Sequence, residues 1–433
     1  MLDDKLKALW ARISPPQKAA FFGCFLSGYL VHLYVFTNII PNSDGLSRIF
    51  DPQQMTVSGR WFLHFASYFN GFTQMPAVIG LFSVLFLALA AALAVSLLGI
   101  RSRALSALSG ALMAAFPAVG YTFLYLFTAS AYCFAIFLAV LSVSLARRGR
   151  WHWLAGCLLL ACSMGTYQAY VTVAIGLSLL VIFRETLDPS ASFSATLRLG
   201  VRLMLFLTAG AVLYYGILLV FLQVKDLELL SYLGMDAASS GYPFSRLPGL
   251  LLDTYKQVAA FFFLPGSANT FTSGWMAVLD LAALALGGGC FLLCMGQEGL
   301  WRARWRPLGG LAMLALLPLG INFGQILSPW SAPTPLMKYA FVLVYLAVVI
   351  ALVMWWYMNR TTPGLRLRAV GENPGAADSV GINVKWYKYL HICLGCGIMG
   401  IGGYYMSLNM SGSFNSSCWI NGYGWIAVAL VIF

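Results

Sequence analysis

Charge is what this sequence has least of. Only 9% of its 433 residues are Asp, Glu, Lys or Arg, against about 25% in an ordinary soluble domain. Fourteen are acids and four are histidines. Such scarcity excludes an ordinary cytosolic enzyme, and it excludes a disordered chain, which stays open through high charge and few apolar residues. A disulfide framework is missing as well. Cys24, Cys133, Cys157, Cys162, Cys290, Cys294, Cys393 and Cys396 lie in or beside apolar runs, and only Cys418 sits in a polar stretch. Cys393 and Cys396 have the spacing of a redox or metal pair. With no second pair and no clustered histidines they read as two small buried residues, and no metal-ligand cluster is visible. No basic stripe interleaved with aromatics appears, so nucleic acid is excluded as a partner despite the net charge of +12.

What the chain has instead is apolar length. Hydrophobic residues make up 60% of it, and the mean hydropathy is +0.81. A spanning helix needs about 20 apolar residues. Runs of that kind fall near 19–40, 76–99, 104–124, 128–146, 152–168, 169–183, 200–222, 274–295, 307–327, 339–358 and 387–407. A further run begins at Gly424 and reaches Phe433. Strand periodicity and solenoid repeats are absent. The expected fold is therefore an all-α, polytopic integral membrane protein of about 11–12 transmembrane helices. The polar, acidic start at Met1 to Lys7 is unlike a cleaved signal peptide, so the first run is expected to stay in the membrane.

Orientation follows from the cations. With the N-terminus in the cytoplasm, all but six of the 26 lysines and arginines fall inside, and the outside keeps Arg48, Arg60, Lys225, Arg246, Lys256 and Lys338. The positive-inside rule favours that arrangement over its inverse. Two long loops then face outward, about 41–74 and 223–273, and loops of that length are functional or carry helices of their own. Within the first, Gly59 to Phe69 has the aromatic pattern of an interfacial amphipathic helix.

Outward-facing acids are few, so each one counts. Asp44 follows directly from the first span, and Arg60 lies further along the same loop. A carboxylate at the membrane surface can take a proton from a sugar hydroxyl. An arginine nearby can grip a phosphate leaving group through two nitrogens. Asp44 can equally cap a turn, and Arg60 can anchor at the interface. Tyr167, Gln168 and Tyr170, near the outer end of the fifth run, suit a pyranose site or an interfacial aromatic belt. His32 has two readings, a donor-groove contact or a satisfied bundle histidine. Asp280 sits in or at the edge of an apolar run, where a deep carboxylate costs about 2.5–3.5 kcal/mol.

From the first span to about residue 353 the chain resembles the Gtr-type bacterial O-antigen glucosyltransferases. The likeness rests on Pro41-Asn-Ser-Asp-Gly45, Ser58-Gly-Arg-Trp-Phe62, Phe127-Thr-Ala-Ser-Ala-Tyr132, Thr166-Tyr-Gln-Ala-Tyr170, Leu317-Pro-Leu-Gly-Ile-Asn322 and Leu336-Met-Lys-Tyr-Ala-Phe-Val-Leu-Val-Tyr345. The resemblance implies a GT-C-like bundle with long outer loops in the bacterial inner membrane. It implies a polyprenyl-phosphate sugar as donor, glucose as the hexose, a cell-surface glycan as acceptor, and no bound cofactor. Asp44 matches the family's acidic residue in the first outer loop, and Arg60 its Gly-Arg-Trp feature. One departure is Ser130, where the family often carries an aspartate.

From about Trp356 a second resemblance takes over. Thr362 to Val384 is similar to the cytoplasmic loop of ABC importer permeases for nucleosides and simple sugars. Gly364, Arg368, Gly371, Glu372, Asn373, Pro374 and Gly381 carry it. That likeness implies a coupling helix that docks on an ATPase subunit. The expected organisation is a glucosyltransferase-like domain at 1–355 followed by a partial permease-like segment at 356–433, a fused or truncated frame. The alternative function is an inner-membrane permease of such an importer.

Overall fold

The computed structural model describes residues 13–38, 56–70, 75–187, 191–229, 244–264, 274–297, 303–327 and 334–345, and 374–379, 381, 383–386 and 388–389 beyond them. The chain falls into two units, Met1–Val353 and Met354–Phe433. Among the described residues of the first unit the regular elements are helices. In chain order they are α1 (Pro15–Thr37), α2 (Leu63–Ala66), α3 (Pro76–Leu98), α4 (Arg103–Ala115), α5 (Pro117–Leu124), α6 (Leu126–Ala146), α7 (Arg150–Thr166), α8 (Val171–Leu187), α9 (Phe193–Val224), α10 (Leu247–Phe263), α11 (Gly274–Gln297), α12 (Trp305–Ile321), α13 (Phe323–Leu327) and α14 (Val342–Val344). The protein is an all-α, multi-pass membrane protein.

Local chemistry sets the helix ends. Ser14 caps α1 in a reciprocal box with Gln17, and Pro15 opens the helix. Ser102 and Ser192 cap α4 and α9 more simply, each side chain accepting one backbone N–H. Among the described residues, five helical stretches are long and apolar enough to cross a membrane: Pro15–Thr37, Pro76–Leu98, Leu126–Ala146, Gln168–Thr186 and Phe193–Val224. The run expected at 104–124 is broken at Phe116–Pro117 into α4 and α5, which bend by 40°, because proline cannot continue the hydrogen-bond ladder. The long loop at about 223–273 carries α10, a helix its length had suggested.

Close backbone approach holds the first layer together. The buried face of α1 is Ala20, Cys24, Gly28, His32 and Phe36, one residue per turn. A Cβ on Gly110 would stand 2.1 Å from the Ala20 carbonyl oxygen, and one on Gly23 would stand 2.2 Å from that of Ala107. Small residues at these crossings let α1 and α4 touch backbone to backbone, which is how helices associate where the surrounding lipid is as apolar as leucine. His32 donates or accepts at the Ala114 carbonyl, 2.9 Å away, and is buried there. It is the satisfied bundle histidine of the two readings.

The bundle has a basic end. Arg202 on α9 donates to the carbonyls of Ala146 (2.7 Å) and Arg148 at the close of α6. Glu185 lies 3.6 Å from both Arg147 and Arg184, and Arg184 packs under Gly99, whose φ of +69° ends α3. Arg306 donates to Ala191 across 2.7 Å. Burial, then the Arg184 charge, pulls the Arg147 guanidinium below its ordinary value, and Glu185 offsets this.

The α1–α4 contact gives a direct test. Gly110→Val should force the two backbones apart at a cost of about 1–3 kcal/mol, read as a lower melting temperature of the detergent-solubilised protein. Gly216→Ala on α9, which meets nothing within 4 Å, should leave that temperature unchanged or raise it.

Candidate active site

The site grows from a break in the helix ladder. α7 ends at Thr166, Tyr167 is extended (φ −156°, ψ 112°), and a short turn at Gln168–Tyr170 leads into α8. The last carbonyls of a helix have no partner within it. Here the Gly165 carbonyl accepts the Phe62 backbone N–H at 2.7 Å. That bond joins the first long loop to the end of α7, opposite the basic end of the bundle.

The loop arrives through Gly59, whose φ of +78° is one that side chains disfavour. Its polar backbone is then clamped from the break. The Gln168 side-chain amide donates to the Ser58 carbonyl (2.8 Å) and to the Tyr214 hydroxyl (3.1 Å). Tyr214, on α9, donates onward to the Gly59 carbonyl at 3.0 Å. Donors and acceptors are consistent all along this chain. On the far side of Arg60, Trp61 is buried between Gly165 and Phe221, stacked on the latter at 5.6 Å and 19°. A Cβ at Gly165 would stand 2.6 Å from the indole ring, so glycine is needed for the loop to seat.

Arg60 is thus held between two fixed segments, and its side chain has a defined wall. Its Nη1 donates to the Tyr132 hydroxyl at 3.2 Å, and its guanidinium carbon lies 4.8 Å from the centre of the Tyr167 ring. That is cation–π distance. Tyr132 and Tyr167 stack at 4.7 Å, and Tyr170 closes the group at 5.2 Å from Tyr167. The three tyrosines are buried, Tyr170 completely, while Arg60 is half-buried. Next to the Gln168–Tyr170 turn lies another, Pro335–Phe341, which buries Lys338 with its ammonium 5.7 Å from the Phe261 ring.

The structure therefore gathers Arg60, Tyr167, Gln168 and Tyr170 at one place. Asp44 lies outside the described residues. Gln168 spends its amide on the loop, and Tyr170 is a wall residue with no exposed face. Gly59 to Phe69 departs from the expected interfacial helix: it forms short turns and α2, with Trp61, Leu63 and Ala66 buried against the bundle. Tyr132 and Tyr214 were not singled out from sequence. A pair of tyrosines, Tyr214 and Tyr215, inside an otherwise apolar helix was the available signal, since a hydroxyl there needs a partner. Ser130 is buried in α6. Asp280 accepts from the Tyr345 hydroxyl at 3.0 Å. Of the cations in the loop at about 223–273, Lys256 pairs with Asp253 at 3.4 Å with both exposed. Gly364, Arg368, Gly371, Glu372 and Asn373 lie outside the described residues. In the second unit, Pro374 begins a helix that ends at Ser379, and Gly381 follows with φ +81°.

The clamp can be tested without any activity assay. Trypsin should cut the folded wild-type protein slowly at the Arg60–Trp61 bond. Gln168→Ala, which removes both donors, should speed that cleavage several-fold, with the site identified by mass spectrometry.

Comparison with known proteins divides the chain unequally. The family model described as glucosyl transferase GtrII matches residues 33–354. Curated relatives match short stretches. The nucleoside ABC transporter permease protein NupC of Lactococcus lactis is 44% identical over 21% of this chain and 28% of its own length. The putative glucose ABC transporter permease protein TsgC13 of Haloferax volcanii is 40% identical over 21% and 27%. The guanosine ABC transporter permease protein NupQ of Bacillus subtilis is 38% identical over 20% and 27%. The chain spans little more than a quarter of the length of these relatives. No solved structure matches it. With most of its length matched by one family model, the chain belongs to the glucosyl transferase GtrII family.

Proposed function

We propose that the chain moves a glucosyl unit from a polyprenyl phosphate to a hydroxyl of a cell-surface glycan, at the outer face of a bacterial inner membrane. The observation that carries this reading is Arg60, a clamped guanidinium seated on Tyr132 and Tyr167 at the end of the bundle opposite the arginine-rich end. The positive-inside rule supports a cytoplasmic N-terminus and a cytoplasmic basic end, which leaves Arg60 outside.

In this reading Asp44 is the general base and Arg60 the phosphate partner. The bond between the sugar's anomeric carbon and the phosphate oxygen breaks, and the electron pair leaves with the phosphate. The acceptor oxygen bonds to the anomeric carbon, and its proton passes to the Asp44 carboxylate. Arg60 stabilises the charge that builds on the phosphate, an interaction that strengthens as the bond breaks. Tyr167, Gln168 and Tyr170 act as positioning residues, holding the guanidinium in one place. The lipid-linked sugar itself supplies the activated donor, so no cofactor is required.

The permease-like part is a separate proposal. The shortness of the permease matches favours a segment at 356–433 that adds no transport pathway of its own. Gly364 to Gly381 in it is the stretch that would meet an ATPase subunit. Were the chain instead a permease for nucleosides or simple sugars, that ATPase would co-purify with it.

One set of variants tests both halves. Asp44→Asn and Arg60→Gln should each lower glucosylation of the surface glycan by about 10²-fold or more, with unchanged amounts of protein in the membrane. A chain stopped after Arg360 should keep wild-type transfer. Full transfer by Asp44→Asn would remove that carboxylate from the mechanism. Loss of transfer by the truncated chain at normal membrane levels would make 356–433 part of the enzyme.

A further inference from the structure

The basic end of the bundle holds a groove that the transfer reaction does not use. Its volume is about 530 Å³, within the roughly 300–1,000 Å³ of small-ligand sites. Three arginines line it, Arg150 from the start of α7 and Arg198 and Arg202 from α9. The remaining lining is Trp153 and a stripe of apolar residues down α9 that includes Leu197 and Val201. Among the described residues its lining contains no carboxylate.

The geometry is asymmetric in a useful way. Arg198 and Arg202 stand one turn apart, and so do Leu197 and Val201, on adjoining strips of one helix. Leu197 and Val201 are exposed, at 54% and 44%, on a helix long and apolar enough to span the membrane. Cations at the helix end therefore continue directly into a surface that contacts lipid chains. Two of the cations are also fixed in place. Arg202 is tied to the Ala146 and Arg148 carbonyls, the Trp153 indole N–H donates to the Arg202 carbonyl at 3.5 Å, and Arg198 donates to Ser194 at 3.2 Å. The Arg202 bonds are to neutral carbonyls, which hold the guanidinium without offsetting its positive charge.

We propose that this groove binds the phosphate headgroup of an anionic diacyl phospholipid, with an acyl chain along Leu197 and Val201. Charge complementarity selects the headgroup, since the described lining holds three arginines and no acid. The open apolar stripe selects a bilayer lipid over a soluble anion, because its chain needs no tunnel. Basic pockets between transmembrane helices bind anionic headgroups for the same reason.

The test is native mass spectrometry of the full chain, released from micelles containing equal phosphatidylglycerol and phosphatidylcholine. The wild type should retain phosphatidylglycerol roughly tenfold over phosphatidylcholine. Arg150→Gln with Arg198→Gln should abolish that preference, with Arg202 left in place to keep α6 and α9 joined. Val201→Trp, which fills the groove and keeps every arginine, should reduce retention of phosphatidylglycerol. An unchanged melting temperature shows that each variant is folded. Equal retention of both lipids by the wild type, or full preference in either folded variant, would overturn the proposal. So would displacement of the lipid by millimolar inorganic phosphate, which would make this a site for the free anion.

Discussion

Everything at the candidate site depends on the turn that joins α7 to α8. Between Thr166 and Val171 the backbone leaves its regular ladder, and groups that lose their partners in an apolar bundle must find others. The released Gly165 carbonyl takes the Phe62 N–H, and the Gln168 amide, freed from a regular helix face, takes Ser58 and Tyr214. A loop that would otherwise lie over the membrane surface is thereby drawn into the bundle. Arg60 is its payload. Without the turn at Tyr167–Tyr170, neither the clamp nor the tyrosine wall under the guanidinium would exist.

The same bundle separates two kinds of arginine. At the basic end, Arg147, Arg184, Arg202 and Arg306 satisfy carbonyls and a glutamate at the ends of neighbouring helices. They brace the scaffold and sit in keeping with the charge rule for membrane topology. At the opposite end Arg60 is held by backbone clamps and aromatic faces. The seat on Tyr132 and Tyr167 fixes where the Arg60 guanidinium can meet a ligand, and that placement is the physical basis for reading it as a phosphate partner.

Much of this was legible in the sequence, and the reasons are specific. Apolar runs located the spanning helices because length and hydropathy are properties of contiguous residues. The uncertain border between the runs at 152–168 and 169–183 coincides with the break at Tyr167. Arg60, Tyr167, Gln168 and Tyr170 stood out as polar groups at the edge of apolar runs, and the fold brings them together. What sequence withheld were pairings between distant positions: Gln168 with Ser58, Tyr214 with Gly59, Tyr132 with Arg60. Periodicity is silent about such partners. It also misread Gly59 to Phe69, whose aromatic pattern suits a membrane surface as well as a groove between helices. Trp61 chose the groove because Gly165 leaves room for an indole.

The most direct test of the account is a donor experiment with the purified chain in liposomes. Supplied with radiolabelled polyprenyl-phosphate glucose and a surface glycan acceptor, the wild type should transfer label to the glycan. Labelled nucleotide glucose should give none. Transfer from the nucleotide sugar, or ATP-dependent movement of a free sugar or nucleoside in the absence of glycan labelling, would contradict the account.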